Sequence, residues 1–118
     1  MGMTIRQANE VLRHLKRDGV YASLHTGPPG EDGLNEVTGG GYGRQEVEFG
    51  EPTDGAMTSV DVVEFELLPS VTVTHIGLWN RQTDGGLRWS SALDVPIPIR
   101  DRGTFRITAG DLQIQLRA

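Results

Sequence analysis

With 118 residues, no cysteine and a formal net charge of −5, the chain fits one domain and can form neither disulfides nor thiolate metal sites. No apolar run approaches the ~18 residues of a membrane span, and the first residues lack the apolar stretch of a secretion signal, so a soluble chain without a membrane partner is expected. The excess of acid argues against nucleic acid as a partner, since like charge repels a phosphate backbone.

That charge is uneven. Residues 31–66 hold ten acids against Arg44 alone, whereas the flanking segments are each net basic. Solvated faces account for such a split; the alternative is an acidic middle in one copy meeting basic ends of another. One of the eleven cations is lysine and the rest are arginine, whose planar fork suits fixed, interfacial pairing. Sixteen glycines and six prolines indicate many turns between short strands.

Residues 4–18 read as a helix. Thr4 and Gln7 have the spacing of a capping box, and Ile5, Ala8, Leu12 and Leu15 recur with helical period. Gly19 can close the last turn in a left-handed conformation, and Arg13, Lys16 and Arg17 sit near the negative end of the helix dipole. A lone helix of this length is marginal, so its stripe must pack on the domain's own sheet or on a neighbouring subunit. Arg6, Arg13, Lys16 and Arg17 are the candidate partner contacts.

From Val20 the period becomes two. Val20, Ala22 and Leu24 alternate with Tyr21, Ser23 and His25, as a half-buried strand requires. Gly27-Pro28-Pro29-Gly30 through Gly39-Gly40-Gly41 is a long turn-rich loop, a length that is usually functional or flexible. Tyr42–Phe49 reads as a strand with Val47 and Phe49 on one face and Glu46 and Glu48 on the other. After a turn at Pro52–Gly55, Val63, Phe65 and Leu67 alternate with Glu64 and Glu66. Val71–Trp79 is the strongest strand, rich in β-branched residues, and Asp84-Gly85-Gly86 turns into Leu87, Trp89, Ser91 and Leu93. Pro96 and Pro98 confine the next segment to an edge. Two further turns lead to strands over Thr104–Thr108 and around Leu112, Ile114 and Leu116. The pattern predicts a mainly β chain: a single antiparallel β-sandwich, jelly-roll or immunoglobulin-like, of seven to eight strands, with one N-terminal helix. The expected division is a helix over residues 1–19 and the sandwich over residues 20–118. Leu24, Phe65, Ile76, Leu78 and Trp79 are the candidate core.

Chemistry is scarce. His14 has no metal-binding partner at helical spacing, and Glu10 is its expected surface pair. His25 and His75 lie on strands, where each alone is more often a hydrogen-bonded structural residue than a ligand or base, though the two could converge on a metal or a small hydrolase site. Ser23, Ser59, Ser90 and Ser91 lack a nucleophile elbow. Glu46/Glu48 and Glu64/Glu66 each share one strand face, which reads more simply as solvated than as a glycosidase pair. The glycine run 39–43 lacks the lysine and helix of a phosphate loop. The acidic loop 31–36 lacks the spacing of an EF-hand. No catalytic, metal-binding or cofactor-binding residue emerges, and no cofactor is expected. Trp79, Trp89 and Tyr42 could stack on sugar rings, so a glycan-binding module is a rival reading, decided by whether these rings are exposed or buried.

The segments Tyr21–Thr26 with Gly27-Pro28-Pro29-Gly30, Asn35-Glu36-Val37, Gly40–Gln45, Val73–Trp79 and Gly103–Leu112 stand in an order and spacing that resembles a family of small virion proteins of mycobacteriophages and related actinobacterial phages, often labelled minor tail proteins. The acidic segment 46–66 departs from that pattern. The resemblance implies a compact β domain, located in the virion, with other tail or capsid proteins as partners and copies of itself in a symmetric assembly. It implies a minor tail component acting in assembly or attachment; a capsid decoration or minor capsid protein cementing the head is the alternative. It brings no catalytic residues.

Overall fold

The computed structural model describes residues 4–116. Thr4 caps the first element as its spacing predicts: its hydroxyl accepts from the Gln7 amide at 3.2 Å, and α1 runs Ile5–Asp18. Gly19 ends it at φ +93°, donating its N–H to the Lys16 carbonyl. Ala8 and Leu12 are buried, and Leu12 belongs to the same apolar cluster as the strands, so the helix docks on the β domain. Ile5, one turn before the first buried position, is exposed.

Eight strands follow: β1 Tyr21–His25, β2 Gln45–Glu46, β3 Ala56–Thr58, β4 Val63–Leu68, β5 Val71–Trp79, β6 Leu87–Ile99, β7 Gly103–Ile107 and β8 Gln113–Gln115. All pairings are antiparallel. One sheet has the order β2-β1-β5-β6, and β3–β8 and β4–β7 form two smaller sheets. The chain is mainly β, and its arrangement is sandwich-like. Ala22, Leu24, Ile76 and Leu78 from the large sheet share one core with Phe65 and Phe105 of β4–β7 and Met57 and Ile114 of β3–β8. Within that core Phe65 meets Phe105 edge to face, with ring centroids 6.3 Å apart.

Several local expectations change. The acidic segment holds less sheet than its alternation suggests. Val47 and Phe49 are buried and Glu46 and Glu48 exposed, yet the regular ladder is only Gln45–Glu46, with Phe49 making an isolated bridge to Ser59. Ala56–Thr58 is a strand where a turn alone was legible, because it borrows its partner from β8, at the far end of the chain. In β4 the alternation slips. Leu67 takes φ +54° at a register shift between Phe65 and Leu68, which turns Leu67 out to solvent and Leu68 into the core. A bulge adds one residue and so flips every side chain after it. Leu87–Leu93 and Val95–Ile99 form one bent strand, β6, and its two prolines do lie on a sheet edge.

The largest difference concerns the other face of the main sheet. Alternation predicts β1 to be half-buried, but Ser23 and His25 are as buried as Ala22 and Leu24. Trp79 is buried too, yet lies outside the main apolar cluster. In register, Tyr21 opposes Trp79, Ser23 opposes Gly77 and His25 opposes His75, and these pairs occupy the face opposite to Leu24, Ile76 and Leu78. What covers them is the long loop between β1 and β2.

Candidate functional site

The covered face gathers residues from four of the segments singled out in the sequence. Two carbonyl and amide contacts dock the loop along β1: the Thr26 amide donates to the Asn35 carbonyl at 2.9 Å, and the Val37 amide to the Leu24 carbonyl at 2.9 Å. Gly33, at φ +78°, passes so close to the Trp79 ring that a β-carbon would overlap it. Gly77, on β5, leaves the space in which the Ser23 and His25 side chains meet. A β-carbon at Gly77 would lie 2.6 Å from Ser23 Oγ and 2.9 Å from His25 Nε2. The glycine is needed for close approach rather than for an unusual backbone angle.

Ser23 Oγ and His25 Nε2 are 2.6 Å apart, with His25 Nδ1 2.8 Å from the Leu34 carbonyl. A carbonyl can only accept, so Nδ1 carries the proton and Nε2 accepts from the Ser23 hydroxyl. Ser23 Oγ in turn accepts from Trp79 Nε1–H at 2.7 Å. The indole face is taken by Arg44, whose guanidinium carbon stands 3.6 Å from the ring centroid. Arg44 forks onto Glu36, Nε to Oε2 and Nη2 to Oε1 at 3.0 Å each. It also donates to the Arg81 and Asp84 carbonyls at 3.1 and 2.8 Å, tying in the β5–β6 turn. Tyr42 donates to Glu36 Oε2 at 2.6 Å, accepts from the Leu24 amide at 3.1 Å, and stacks on Phe65. Among the described residues, every buried side-chain nitrogen and oxygen has a partner.

The electrostatics follow from this enclosure. Burial pushes the His25 imidazole below its ordinary value, against the smaller opposing pull of the Leu34 carbonyl. Burial works to raise the Glu36 carboxyl, but hydrogen bonds from Arg44 and Tyr42 outweigh it and hold the group below the usual carboxylate range. Burial and the neighbouring Glu36 carboxylate push the Tyr42 hydroxyl far up. At neutral pH the cluster is therefore a neutral imidazole beside a single, fully bonded Arg–Glu pair.

A serine 2.6 Å from a histidine invites a hydrolase reading, and the geometry argues against it. Ser23 and His25 have no exposed surface, so no carbonyl can reach Oγ. The position where a triad carboxylate would orient the ring and stabilise its charged form is held by a backbone carbonyl. His75 opposes His25 in register, but its Nδ1 is bonded to Thr74 Oγ1 at 2.8 Å. Among the described residues, no three His, Asp or Glu side chains converge as a metal site would require. The sugar-stacking reading fares no better: Trp79 and Tyr42 are engaged inward, and Trp89 is left alone at 37% exposure.

The residues that sequence reasoning missed are Arg44, Glu36 and Ser23 as members of one network. One signal was present: a single arginine in a stretch of ten acids. Gly77 provides close packing, and the register of β5 with β6 shifts just beyond it, between Leu78 and Trp79. Leu24, Phe65, Ile76 and Leu78 lie in the main core, whereas Trp79 belongs to the covered outer face.

Outside, the candidate contacts on α1 divide. Arg13 is engaged within the chain, to Glu10 at 2.8 Å and Glu51 at 2.6 Å. Lys16 is half-buried, and Arg6 and Arg17 are exposed. Glu10 is thus spent on Arg13, and His14 pairs instead with Asp18 at 3.6 Å, one turn toward the helix end. Large apolar side chains are exposed at several places, Ile5, Leu34, Val60, Val62 and Leu67 among them, and three more, Trp89, Val95 and Ile97, lie on β6. Beside it an apolar groove opens between β6, α1 and β8, with Leu15, Leu78, Trp89 and Ile114 on its walls. No described helix is long and apolar enough to cross a membrane.

A family model described as Podophage GP4 fiber I protein gp80 matches residues 3–115. No curated protein matches the chain.

Proposed function

We propose a passive, contact-making role for this chain, which belongs to the podophage GP4 fiber I protein gp80 family. It is a phage virion structural protein, part of the virion and associated there with other virion components. Within the particle we assign it to the tail, as a minor component that acts in assembly or attachment and catalyses nothing. The observation that carries this reading is the division between inside and outside. The groups that could do chemistry, Ser23 with His25 and Glu36 with Arg44, bond one another on the covered face, whereas large apolar side chains stand exposed on the outside, three of them, Trp89, Val95 and Ile97, along an edge strand. Such a body contributes surface to an assembly, where many modest contacts add up by multivalency. Arg6 and Arg17, exposed on α1 and without an ion pair among the described residues, serve as contacts to a neighbouring virion protein.

Localisation tests the reading. Particles labelled through a tag on this chain and imaged by cryo-electron microscopy are expected to show density along the tail or its fibres. Density following the icosahedral shell would replace the tail assignment with a capsid one, and absence from purified particles would end both. The variant Arg6→Glu/Arg17→Glu, folded to the same thermal midpoint, is expected to enter particles at reduced copy number. Normal incorporation would remove α1 from the contact surface.

A further inference from the structure

Residues 27–35 fold as a small unit of their own. The Thr26 amide donates to the Asn35 carbonyl at 2.9 Å and closes a neck. Within it the Leu34 amide donates to the Pro29 carbonyl at 2.7 Å, and Asn35 Nδ2 to the Pro28 carbonyl at 2.9 Å. None of these residues belongs to the apolar core, and within the segment only Pro29 is buried. Beyond the neck, the one described hydrogen bond from the segment to the sheet joins the Leu34 carbonyl to His25 Nδ1. The residues that follow are anchored, Glu36 to Arg44 and Tyr42, and Val37 to β1 and the core. The segment is a flap with a fixed hinge and a single catch. Compact surface loops whose ends meet in this way are frequently functional.

The catch fits one protonation state. Donors run in one direction: Trp79 Nε1–H to Ser23 Oγ, the Ser23 hydroxyl to His25 Nε2, and His25 Nδ1–H to the Leu34 carbonyl. A second proton on the ring turns Nε2 into a donor. Ser23 Oγ then faces two N–H groups, and its own hydrogen has no acceptor among the described residues. A buried donor stranded in this way costs the full desolvation of the group. The charge on the ring finds little relief either. His75 across the ladder and Arg44 from the loop both oppose it. Glu36 is the counter-charge, and it is already bonded to Arg44 and Tyr42. Glu31 and Asp32, on the flap itself, are exposed. Water relieves both costs, and the flap is the cover that can leave without opening the core.

We propose that residues 27–35 are an acid-released flap: protonation of His25 frees the segment from the sheet and bares Ser23 and Trp79, while the strands and the core stay folded. This device goes beyond the assembly role and does not depend on where in the particle the chain sits.

The full chain with Trp89→Phe carries Trp79 as its sole indole, beneath Gly33 of the flap. Acrylamide quenching of that indole, read from pH 7.5 to pH 5, is expected to rise toward acid while far-ultraviolet dichroism stays constant. A bared His25 takes its proton at the ordinary 6.5 and a covered one only below it, so the ratio of open to closed flap should climb by up to about tenfold per pH unit below 6.5. The range stops above the ordinary carboxylate value of 4.5, so Glu36 keeps its charge throughout. His25→Gln, whose amide offers a donor and an acceptor at every pH, should remove the pH dependence. His75→Gln should leave it in place. Should His25→Gln fail to fold, the chain with its native histidine decides: the His25 ring, titrated by NMR, is expected to change together with the quenching. Quenching that stays flat to pH 5, or that rises only as dichroism is lost, overturns the proposal. So does a rise that persists in His25→Gln, vanishes in His75→Gln, or comes apart from the titration of the His25 ring.

Discussion

Adding one methyl group at Gly77 should destabilise the whole domain. An ideal β-carbon there would sit 2.6 Å from Ser23 Oγ, 2.9 Å from His25 Nε2 and 2.9 Å from Leu87 Cδ1. Favourable separations for carbon are about 3.5–4.0 Å. Leu87 is half-buried and can rotate aside. Ser23 and His25 cannot, because both are fully enclosed and each is held at two points, Ser23 by His25 and Trp79, His25 by Ser23 and the Leu34 carbonyl. Overpacking a tight site costs roughly 1–3 kcal/mol, and stranding one buried donor such as the Trp79 indole N–H adds about 1–3 kcal/mol. Gly77→Ala should therefore lose about 3 kcal/mol, a large part of the ~5–15 kcal/mol that holds a small domain together. Urea unfolding at pH 7.5 is the assay, with an expected fall in midpoint of about 1–2 M at an m-value near ~2 kcal/mol/M. Gly86→Ala is the control: nothing lies within 4 Å of its β-carbon, and its midpoint should stay put. Equal midpoints for the two variants would refute the packing argument.

Three other outcomes follow from the same cluster. Arg44→Lys keeps the charge but loses the fork onto Glu36 and the paired carbonyl contacts; about 2 kcal/mol should go, seen as a thermal midpoint lower by roughly 5–10 °C. Stability should also fall with acid. The folded pKa of His25 lies below the unfolded 6.5, so the unfolded state binds the proton first; its contribution is complete above 6.5 and declines as pH drops from there toward the depressed folded value. Glu36, depressed below 4.5, adds a further loss as pH falls through its folded value, and a urea midpoint that is flat from pH 7.5 to 5 would contradict the contribution of His25. Gly33→Ala, strained at φ +78° and overlapping Trp79, should lift the loop. With Trp89→Phe leaving Trp79 as the sole indole, acrylamide quenching should rise while far-ultraviolet dichroism stays unchanged.

Much of this architecture was legible because it rests on local patterns. The capped helix, the apolar face of Ala22 and Leu24, the β-branched run of β5 and the proline-marked edge each follow from a period or a turn residue. Where reading failed, the cause was long-range. β3 is a strand because β8 lies beside it, and Leu67 faces solvent because a bulge adds one residue against β7. Neither is visible in a window of a few residues.

The covered face failed for the same reason and matters more. Polar Ser23 and His25 alternate with apolar neighbours, which predicts a solvated face. They are instead buried by a loop about a dozen residues away in sequence, held down by Arg44, Glu36 and Tyr42. A lone arginine among acids was the available hint, and a loop of that length was flagged as functional or flexible. It is a lid over the sheet, fastened by a salt bridge and a cation–π contact.

The inward-turned network is most directly tested at the His25 ring itself, by nitrogen-15 NMR of the imidazole through a pH titration. A neutral ring protonated on Nδ1, bonded to Leu34, and resisting protonation until well below 6.5 is the predicted result. A ring that titrates at its ordinary value, or carries its proton on Nε2 toward Ser23, would mean the site is open to water and poised for chemistry.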